Sequence, residues 1–363
     1  MLPRSGSNPE SRIHREFSAD NDTSRSITNT SRSIRNTSRG LTRRHFLEVT
    51  SRTAAGIAVA GIAALADVAM PDIAASARAN ALSIANTATV TLPKTRTWTP
   101  KAGEFHPSVK ARATLFLESV GVWTGGGGTL IAAQRRASAA GFDPSLVERL
   151  PQLLGNSESA EVQIRDAQYG GILDSSASVL VVVDQWRLMP DGTIRTGGTT
   201  VDVRLVQGSP HWRIVEVRPA HPSLPAKHLD PSARRVLTES RIRLPYSARA
   251  DVNAGSVHES VLKMLLKLSA IHLLDVSVIR SGHPLLVFGT SRPSDHPRGR
   301  AVDIWALDSR PLVVPSNHLL ATSAMHFAVS NGAYNVGGPV VLRGPKYFSD
   351  HTHQDHIHLG FSR

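Results

Sequence analysis

The sequence predicts an α+β protein with two folded domains behind an extended N-terminal region. Its 363 residues suffice for two domains that each bury a core. The first domain shows helical patterns followed by strand patterns, and the second opens on an amphipathic helix followed by short apolar strands. The predicted segments are disordered 1–40, signal peptide 41–79, linker 80–105, α+β domain 106–225, linker 226–255 and second domain 256–363.

The N-terminal region has the composition of an exported protein. Residues 1–40 are rich in Ser, Arg, Asn and Thr, which favours disorder. Residues 42–47 contain an arginine pair followed by Phe and Leu, residues 54–70 form an apolar run, and residues 77–79 form an A-x-A cleavage pattern. This order is typical of a twin-arginine signal peptide. We therefore expect export to the wall, the periplasm or the medium, with no permanent membrane anchor after cleavage.

The first domain is predicted to contain three helices followed by an antiparallel meander. The helices are expected at 109–122, 130–140 and 145–154, and the strands at 178–188, 199–206 and 212–217. Four glycines at 125–128 predict a flexible turn, because no Lys-Ser/Thr follows them as a phosphate loop requires. On the order of elements alone, the domain resembles the nuclear-transport-factor-2-like fold.

The second domain is predicted from helical spacing and short apolar runs. Apolar residues recur at 257, 261, 265 and 268, which indicates an amphipathic helix. Strands are expected at 275–280, 285–288 and 301–304. The preceding segment, 226–255, contains Pro231 and Pro245 and is predicted to be a linker.

Composition excludes several kinds of chemistry. The chain has no cysteine, which excludes disulfides, thiolate metal ligands, cysteine nucleophiles and a lipoprotein anchor. Its formal net charge of +12 favours an anionic partner. No nucleic-acid-binding motif accompanies that charge, so anionic wall polymers are the expected partner and nucleic acid is not.

A histidine-rich segment near residue 356 predicts a metal site. His356 and His358 alternate along a predicted strand and therefore point to one face. Neutral imidazole is a preferred nitrogen ligand of metals. His296 and Asp303 can supply further ligands, since Gly299 between them permits a tight turn. Two histidines and one aspartate with an open position are typical of catalytic zinc. The alternative is that these histidines lie in the core or in polar surface loops.

The residues around this site resemble a known family. Residues 294–303 follow the S-x-H-x-x-G-x-A-x-D motif of D-alanyl-D-alanine peptidases, and residues 355–358 match the short second element that ends in a zinc ligand. The superfamily also includes lysostaphin-type endopeptidases, the penicillin-insensitive murein endopeptidase and the hedgehog signalling domain. The resemblance covers about 256–363 and implies a D-alanyl-D-alanine-peptidase/hedgehog-like zinc domain.

The resemblance also implies roles for single residues. It implies that His296, Asp303 and His358 hold Zn²⁺ and that Ser294 lies beside the substrate. Arg280 and Arg292 are rival candidates for binding the substrate carboxylate, or are solvated surface charges. The base is either Asp355, as in relatives with an acid-x-x-His element, or His356, as in relatives with H-x-H. We favour Asp355 as the base and His356 as support for the transition state. His351 and His353 are expected behind the ligands or at the surface, with lining of the site as the alternative for His353.

The function implied is direct hydrolysis of peptide bonds in peptidoglycan stem peptides, by a carboxypeptidase or an endopeptidase. Zinc-activated water needs no covalent intermediate, so the lack of a cysteine or serine nucleophile is no objection. One alternative is a zinc-stabilised wall-binding module without catalysis, because the hedgehog scaffold serves binding and Asp355 is shorter than the family's Glu. Another is a metal hydrolase that acts on an amide outside the wall.

Overall fold

The computed structural model describes residues 90–362, which belong to one compact unit. The predicted disordered segment and signal peptide, 1–79, lie outside the described residues. Two hydrophobic clusters form separate cores, one centred on the first predicted domain and one on the second, and both include residues of the segments predicted as linkers. Both domains combine helices and sheets, as the α+β prediction requires. Within residues 90–362, no helix has the length and apolar character needed to cross a membrane.

The first domain packs one helix against a four-stranded antiparallel sheet, and a second helix packs on the first. The helices are α1 (Pro107–Gly121) and α2 (Leu130–Ala139), and the strands, in sheet order, are β1 (Ser159–Ile172), β2 (Ser176–Leu188), β3 (Ile194–Val206) and β4 (Arg213–Pro219). Apolar side chains of α1 and of the inner face of the sheet form the core. The glycines at 125–128 lie in the turn before α2, as predicted.

Two features of this domain differ from the sequence prediction. The helix expected at 145–154 is replaced by the short 3-10 turns Pro144–Arg149 and Pro151–Leu153, because Pro151 lacks the N–H that would continue a helix. Strand β1 was not predicted. Its register shifts between Ile164 and Asp166, and again between Tyr169 and Gly171, so its sequence lacks a regular alternation.

The second domain consists of a seven-stranded mixed sheet and four helices. The helices are α3 (Pro231–Thr238), α4 (Tyr246–Asn253), α5 (Glu259–Ser269) and α6 (His318–Ser330). The strands are β5 (Ile242–Arg243), β6 (Leu274–Val278), β7 (Ala301–Leu307), β8 (Arg310–Pro311), β9 (Asn335–Gly337), β10 (Tyr347–Phe348) and β11 (Ile357–Gly360). The order is β10-β9-β11-β7-β6-β5, with β8 paired to β7. Strands β7 and β11, which carry two of the predicted ligands, are therefore neighbours.

The prediction of a second linker at 226–255 is wrong, because residues 231–253 fold as α3, β5 and α4. The two prolines of this segment mark helix starts. Pro231 lies in the first turn of α3, where Asp230 caps the helix, and Pro245 directly precedes α4. The strand expected at 285–288 is also wrong: only an isolated bridge joins Leu286 to Pro293.

The described part of the first predicted linker, residues 90–105, contains no helix or strand, yet it packs on the first domain. Trp98 is buried, and its backbone N–H donates to Glu118 Oε1 at 2.9 Å. Thr95 Oγ1 likewise donates to Glu161 Oε2 at 2.7 Å. These contacts fix the segment along α1 and β1.

Candidate metal centre

His296, Asp303 and His358 come together through one pair of strands and one tight turn. Asp303 on β7 and His358 on β11 are direct partners in the antiparallel register, so both side chains point to one face. The 3-10 turn His296–Arg298 ends at Gly299, whose φ is 66°. A Cβ at Gly299 would lie 2.1 Å from the carbonyl oxygen of Ser256. Only glycine therefore fits the turn that carries His296 back to the strands.

Three donor atoms converge at this point. His296 Nε2 lies 3.2 Å from Asp303 Oδ1 and 3.2 Å from His358 Nδ1. His358 Nδ1 lies 2.9 Å from Asp303 Oδ1. A tetrahedral zinc ion with bonds of about 2.0–2.1 Å separates its ligand atoms by about 3.3 Å. All three side chains are buried. Their spacing and chemistry fit a divalent cation such as Zn²⁺.

Further contacts orient the ligands. His296 Nδ1 lies 2.7 Å from the carbonyl oxygen of Ile279, which can only accept, so Nδ1 carries a hydrogen and Nε2 is the nitrogen that faces Asp303 and His358. Asp303 Oδ2 accepts a hydrogen bond from Gln168 Nε2 at 2.7 Å, which leaves Oδ1 facing the two imidazoles. Metal ligands in proteins are usually held by such outer contacts.

The protonation states also suit metal binding. Burial raises the pKa of the Asp303 carboxyl, but the neighbouring His296 and His356 and the hydrogen bonds from His296 and His358 outweigh it and hold the pKa well below its usual value. Burial lowers the pKa of the His358 imidazole to about 4, against the opposing effect of Asp303. Near neutral pH, Asp303 is therefore ionised and His358 neutral, which are the forms that bind metal.

His283 is a site residue that the sequence prediction missed. Its ring stacks on that of His296, with centroids 3.9 Å apart and planes 15° apart. His283, His296 and Asp303 form a group whose ligand atoms all lie within 4.8 Å of one another. His358 Nδ1 lies 3.2 Å from His296 Nε2 and 2.9 Å from Asp303 Oδ1, and it holds the motif position, so we favour His358 as the third candidate ligand and His283 as a neighbouring donor. No motif position marks His283, which lies in the loop between β6 and the His296 turn.

His356 and Asp355 occupy different places in the site. His356 Nε2 lies 3.6 Å from Asp303 Oδ2, so His356 and His358 do share one face. His356 Nδ1 contacts Asp355 Oδ1 at 2.6 Å. Asp355 Oδ2 accepts from Lys110 Nζ at 2.5 Å and from the backbone N–H of Tyr169 at 3.0 Å. Both oxygens of the buried Asp355 are thus engaged behind His356, whereas His356 Nε2 faces the site.

The buried ammonium group of Lys110, from the first domain, contacts Asp355 on the side away from His356. Lys110 on α1 has no exposed surface and bonds both Asp355 and Glu104. Its Nζ also lies 4.9 Å from the ring centroid of Tyr169. Burial lowers the pKa of Lys110, but the two carboxylates outweigh it and the net pKa is raised. Lys110 is therefore a permanent charge that holds Asp355 in place.

An open groove with a volume of about 780 Å³ leads to the candidate centre. Residues 169–173 of the first domain line one part of it, and Arg292, Tyr334 and Phe348 line another. His353, expected behind the ligands or at the surface, lines the groove as well, with Nδ1 2.7 Å from Asp350 Oδ1. Two of the candidate ligands, His296 and His358, line the groove.

The three residues predicted to contact substrate differ in position. Arg292 is exposed and lines the groove. Ser294 also lines it, but its Oγ accepts the backbone N–H of His296 at 3.3 Å. Arg280 donates from Nε to the carbonyl oxygen of Pro297 at 3.1 Å and is not a groove residue. Its contact instead stabilises the turn that carries His296.

Comparison with protein-family models, curated proteins and solved structures found no match to this chain. The assignment of the site therefore rests on its own contacts and on the spacing of its motif residues. Those contacts bring together His296, Asp303 and His358 as the sequence predicts, and they add His283, Gln168 and Lys110.

Proposed function

We propose that this protein is an exported zinc-dependent peptidase that hydrolyses peptide bonds of peptidoglycan. The observation that carries the proposal is the convergence of His296 Nε2, Asp303 Oδ1 and His358 Nδ1 within 3.2 Å of one another beside an open groove. Resemblance to the D-alanyl-D-alanine peptidase motif supports the reaction class. The twin-arginine pattern supports export, and the basic net charge supports residence among anionic wall polymers.

The fold assignments belong to the same proposal. The second domain would be a D-alanyl-D-alanine-peptidase/hedgehog-like zinc domain, supported by the motif residues on β7, on β11 and in the Gly299 turn. The first domain would be nuclear-transport-factor-2-like, supported by two helices that precede a four-stranded antiparallel meander. The first of these assignments has motif support, and the second rests on the order of elements alone.

Each site residue has a role in this hydrolysis. His296, Asp303 and His358 would hold the ion, which when bound would polarise the scissile carbonyl and lower the pKa of water toward about 7. Arg292, exposed in the groove, would bind a carboxylate of the stem peptide. Ser294 would fix the His296 backbone rather than bind substrate directly.

The base in this proposal is His356 and no longer Asp355. A base must reach the attacking water, and Asp355 is buried with both oxygens occupied by His356, Lys110 and Tyr169. His356 Nε2 instead faces the site, so it can take a proton from water and pass it to the leaving amine. Asp355 orients that imidazole and supports its positive charge.

The test is mass spectrometry of purified peptidoglycan incubated with the protein, with and without a zinc chelator. We expect new fragments that disappear with the chelator, and their masses identify the bond that is cut. His296→Ala and Asp303→Ala should abolish both zinc binding and cleavage. The matched control is His228→Ala, because His228 is exposed and does not line the groove.

The other outcomes separate the competing hypotheses. Zinc bound without cleavage of any wall fragment would favour a wall-binding module. Chelator-sensitive hydrolysis of a non-wall amide, with peptidoglycan left intact, would favour another substrate. A protein that binds no zinc under any condition would overturn the proposed centre.

A further inference from the structure

A strand of the first domain reaches the metal ligands of the second. Gln168 on β1 is fully buried, and its Nε2 donates to Asp303 Oδ2 at 2.7 Å. Its Oε1 accepts a hydrogen bond from the hydroxyl of Ser277 on β6. Because a carboxylate only accepts, the amide nitrogen must be the atom that faces Asp303. Both polar atoms of the Gln168 amide are thus hydrogen-bonded to residues of the second domain.

The backbone that follows Gln168 is held against the second domain. Next to it, the N–H of Tyr169 donates to Asp355 Oδ2 at 3.0 Å. At Gly171, an added Cβ would lie 2.0 Å from the Cβ of Phe288, so only glycine permits this close approach of β1 to the second domain. Register shifts flank Gln168, and such bulges bend a strand and redirect a side chain.

This contact decides which oxygen of Asp303 a metal would meet. With Oδ2 bonded to Gln168, Oδ1 remains beside His296 Nε2 and His358 Nδ1. Without the amide, the carboxylate can rotate about its last bond and leave this orientation. Loss of such an outer contact typically lowers metal affinity about 10- to 100-fold.

We propose that Gln168 is a positioning residue of the metal centre, so that the first domain sets the metal affinity of a site whose ligands all lie in the second. This inference rests on the zinc site of the proposed function. Domains joined in one chain usually move relative to each other. Here the buried contacts of Gln168 and of Lys110 join the first domain to Asp303 and Asp355, so it is a structural part of the centre.

The test measures zinc affinity of the full chain, by competition with a chelating indicator, after the protein has been stripped of metal. Gln168→Met keeps the length of the side chain but removes the amide. We expect it to weaken zinc binding about 10- to 100-fold. The matched control is Gln185→Met. Gln185 is also a buried glutamine of the same sheet, but its amide donates to the carbonyls of Gly121 and Leu153 inside the first domain.

A second substitution tests the same contact in case Gln168→Met does not fold. Ser277→Ala removes the hydroxyl that holds the Gln168 amide, with little change of volume. We expect it to weaken zinc binding several-fold in the intact chain and to have no added effect when combined with Gln168→Met. Thermal unfolding of each metal-free variant shows whether it is folded.

Each outcome decides the inference. Weaker zinc binding in the Gln168 and Ser277 variants, with the Gln185 variant unchanged, supports it. Unchanged zinc affinity in Gln168→Met overturns it. An equal loss of affinity in Gln185→Met also overturns it, since any buried glutamine would then have the same effect. If the unsubstituted chain binds no zinc, the proposed centre fails first, and that result is distinct from a centre that binds zinc regardless of Gln168.

Discussion

His356 has two differently occupied nitrogens. Nδ1 contacts Asp355 at 2.6 Å, and Nε2 lies 3.6 Å from the candidate ligand Asp303. Burial lowers the pKa of His356, but Asp303 and Asp355 outweigh it and the net pKa is raised. A base needs both a fixed orientation and a free nitrogen that faces its substrate, and this histidine has both.

The proposed base leads to a direct kinetic prediction. His356→Ala should lower kcat about 10²- to 10⁴-fold, the usual contribution of general acid–base catalysis, and should leave zinc bound. Rates on isolated wall peptides and the metal content of the same sample check this. Normal turnover of His356→Ala would contradict the role of His356, and loss of zinc from it would make His356 a ligand instead.

The elements of the site differ in how far sequence alone could predict them. The resemblance to the peptidase motif grouped His296, Asp303 and His358, and the structure brings these three residues together, although the pairing of β7 with β11 is not local. Strand alternation and the Gly299 turn are properties of short segments. Gln168 and Lys110 could not be found this way, since they meet Asp303 and Asp355 only through tertiary packing.

Wrongly predicted elements have equally local reasons. Prolines at 231 and 245 suggested a linker. Proline is, however, also common at the start of a helix, and here Pro231 lies in the first turn of α3 and Pro245 directly precedes α4. Strand β1 carries buried polar residues, Asp166 and Gln168, and two register shifts, so no regular alternation marked it. In both segments, the secondary structure depends on contacts with distant parts of the chain, which a local sequence pattern does not show.

The Gly299 turn gives a prediction at the level of one element. Gly299→Ala adds a Cβ that would lie 2.1 Å from Ser256 O, at a positive φ. We expect a loss of about 1–3 kcal/mol in the free energy of unfolding and weaker zinc binding, because His296 shifts with the turn. Thermal unfolding and zinc titration of the variant measure the two effects.

Gly192→Ala is the control for that substitution. Gly192 also has a positive φ, 78°, but nothing lies within 4 Å of its added Cβ. It should lose less stability and bind zinc normally. If both variants lose the same stability and both keep their zinc affinity, the Ser256 contact does not hold the turn in place.

At the scale of the whole molecule, a buried charge network joins the two domains. Lys110 pairs with Glu104 in its own domain and with Asp355 in the other. Burial raises the pKa of Glu104 even though Lys110 opposes this effect. The network is therefore balanced only while the lysine is present.

Lys110→Met should reduce the free energy of unfolding by about 3–5 kcal/mol, because it leaves two buried carboxylates without a counter-charge. In this variant burial raises the pKa of the two unpaired carboxyls in the folded state, so their protonation should make the loss of stability, relative to the unsubstituted chain, smaller at pH 5.5 than at pH 8. Denaturant unfolding at both pH values checks this. Adding Glu104→Gln and Asp355→Asn should restore part of the loss. An equal loss at both pH values would point to lost packing instead of unpaired charge.

The contact between Lys110 and Asp355 joins positions 245 residues apart in the chain. A contact this distant can form only after both of its ends have been made, and closing the loop between them costs entropy. During synthesis, α1 and β1 emerge well before β6, β7 and β11, so Lys110 and Gln168 leave the ribosome before their partners in the second domain exist. A ribosome-bound chain that has reached only the first domain therefore lacks His296, Asp303 and His358, the three residues proposed to hold the metal.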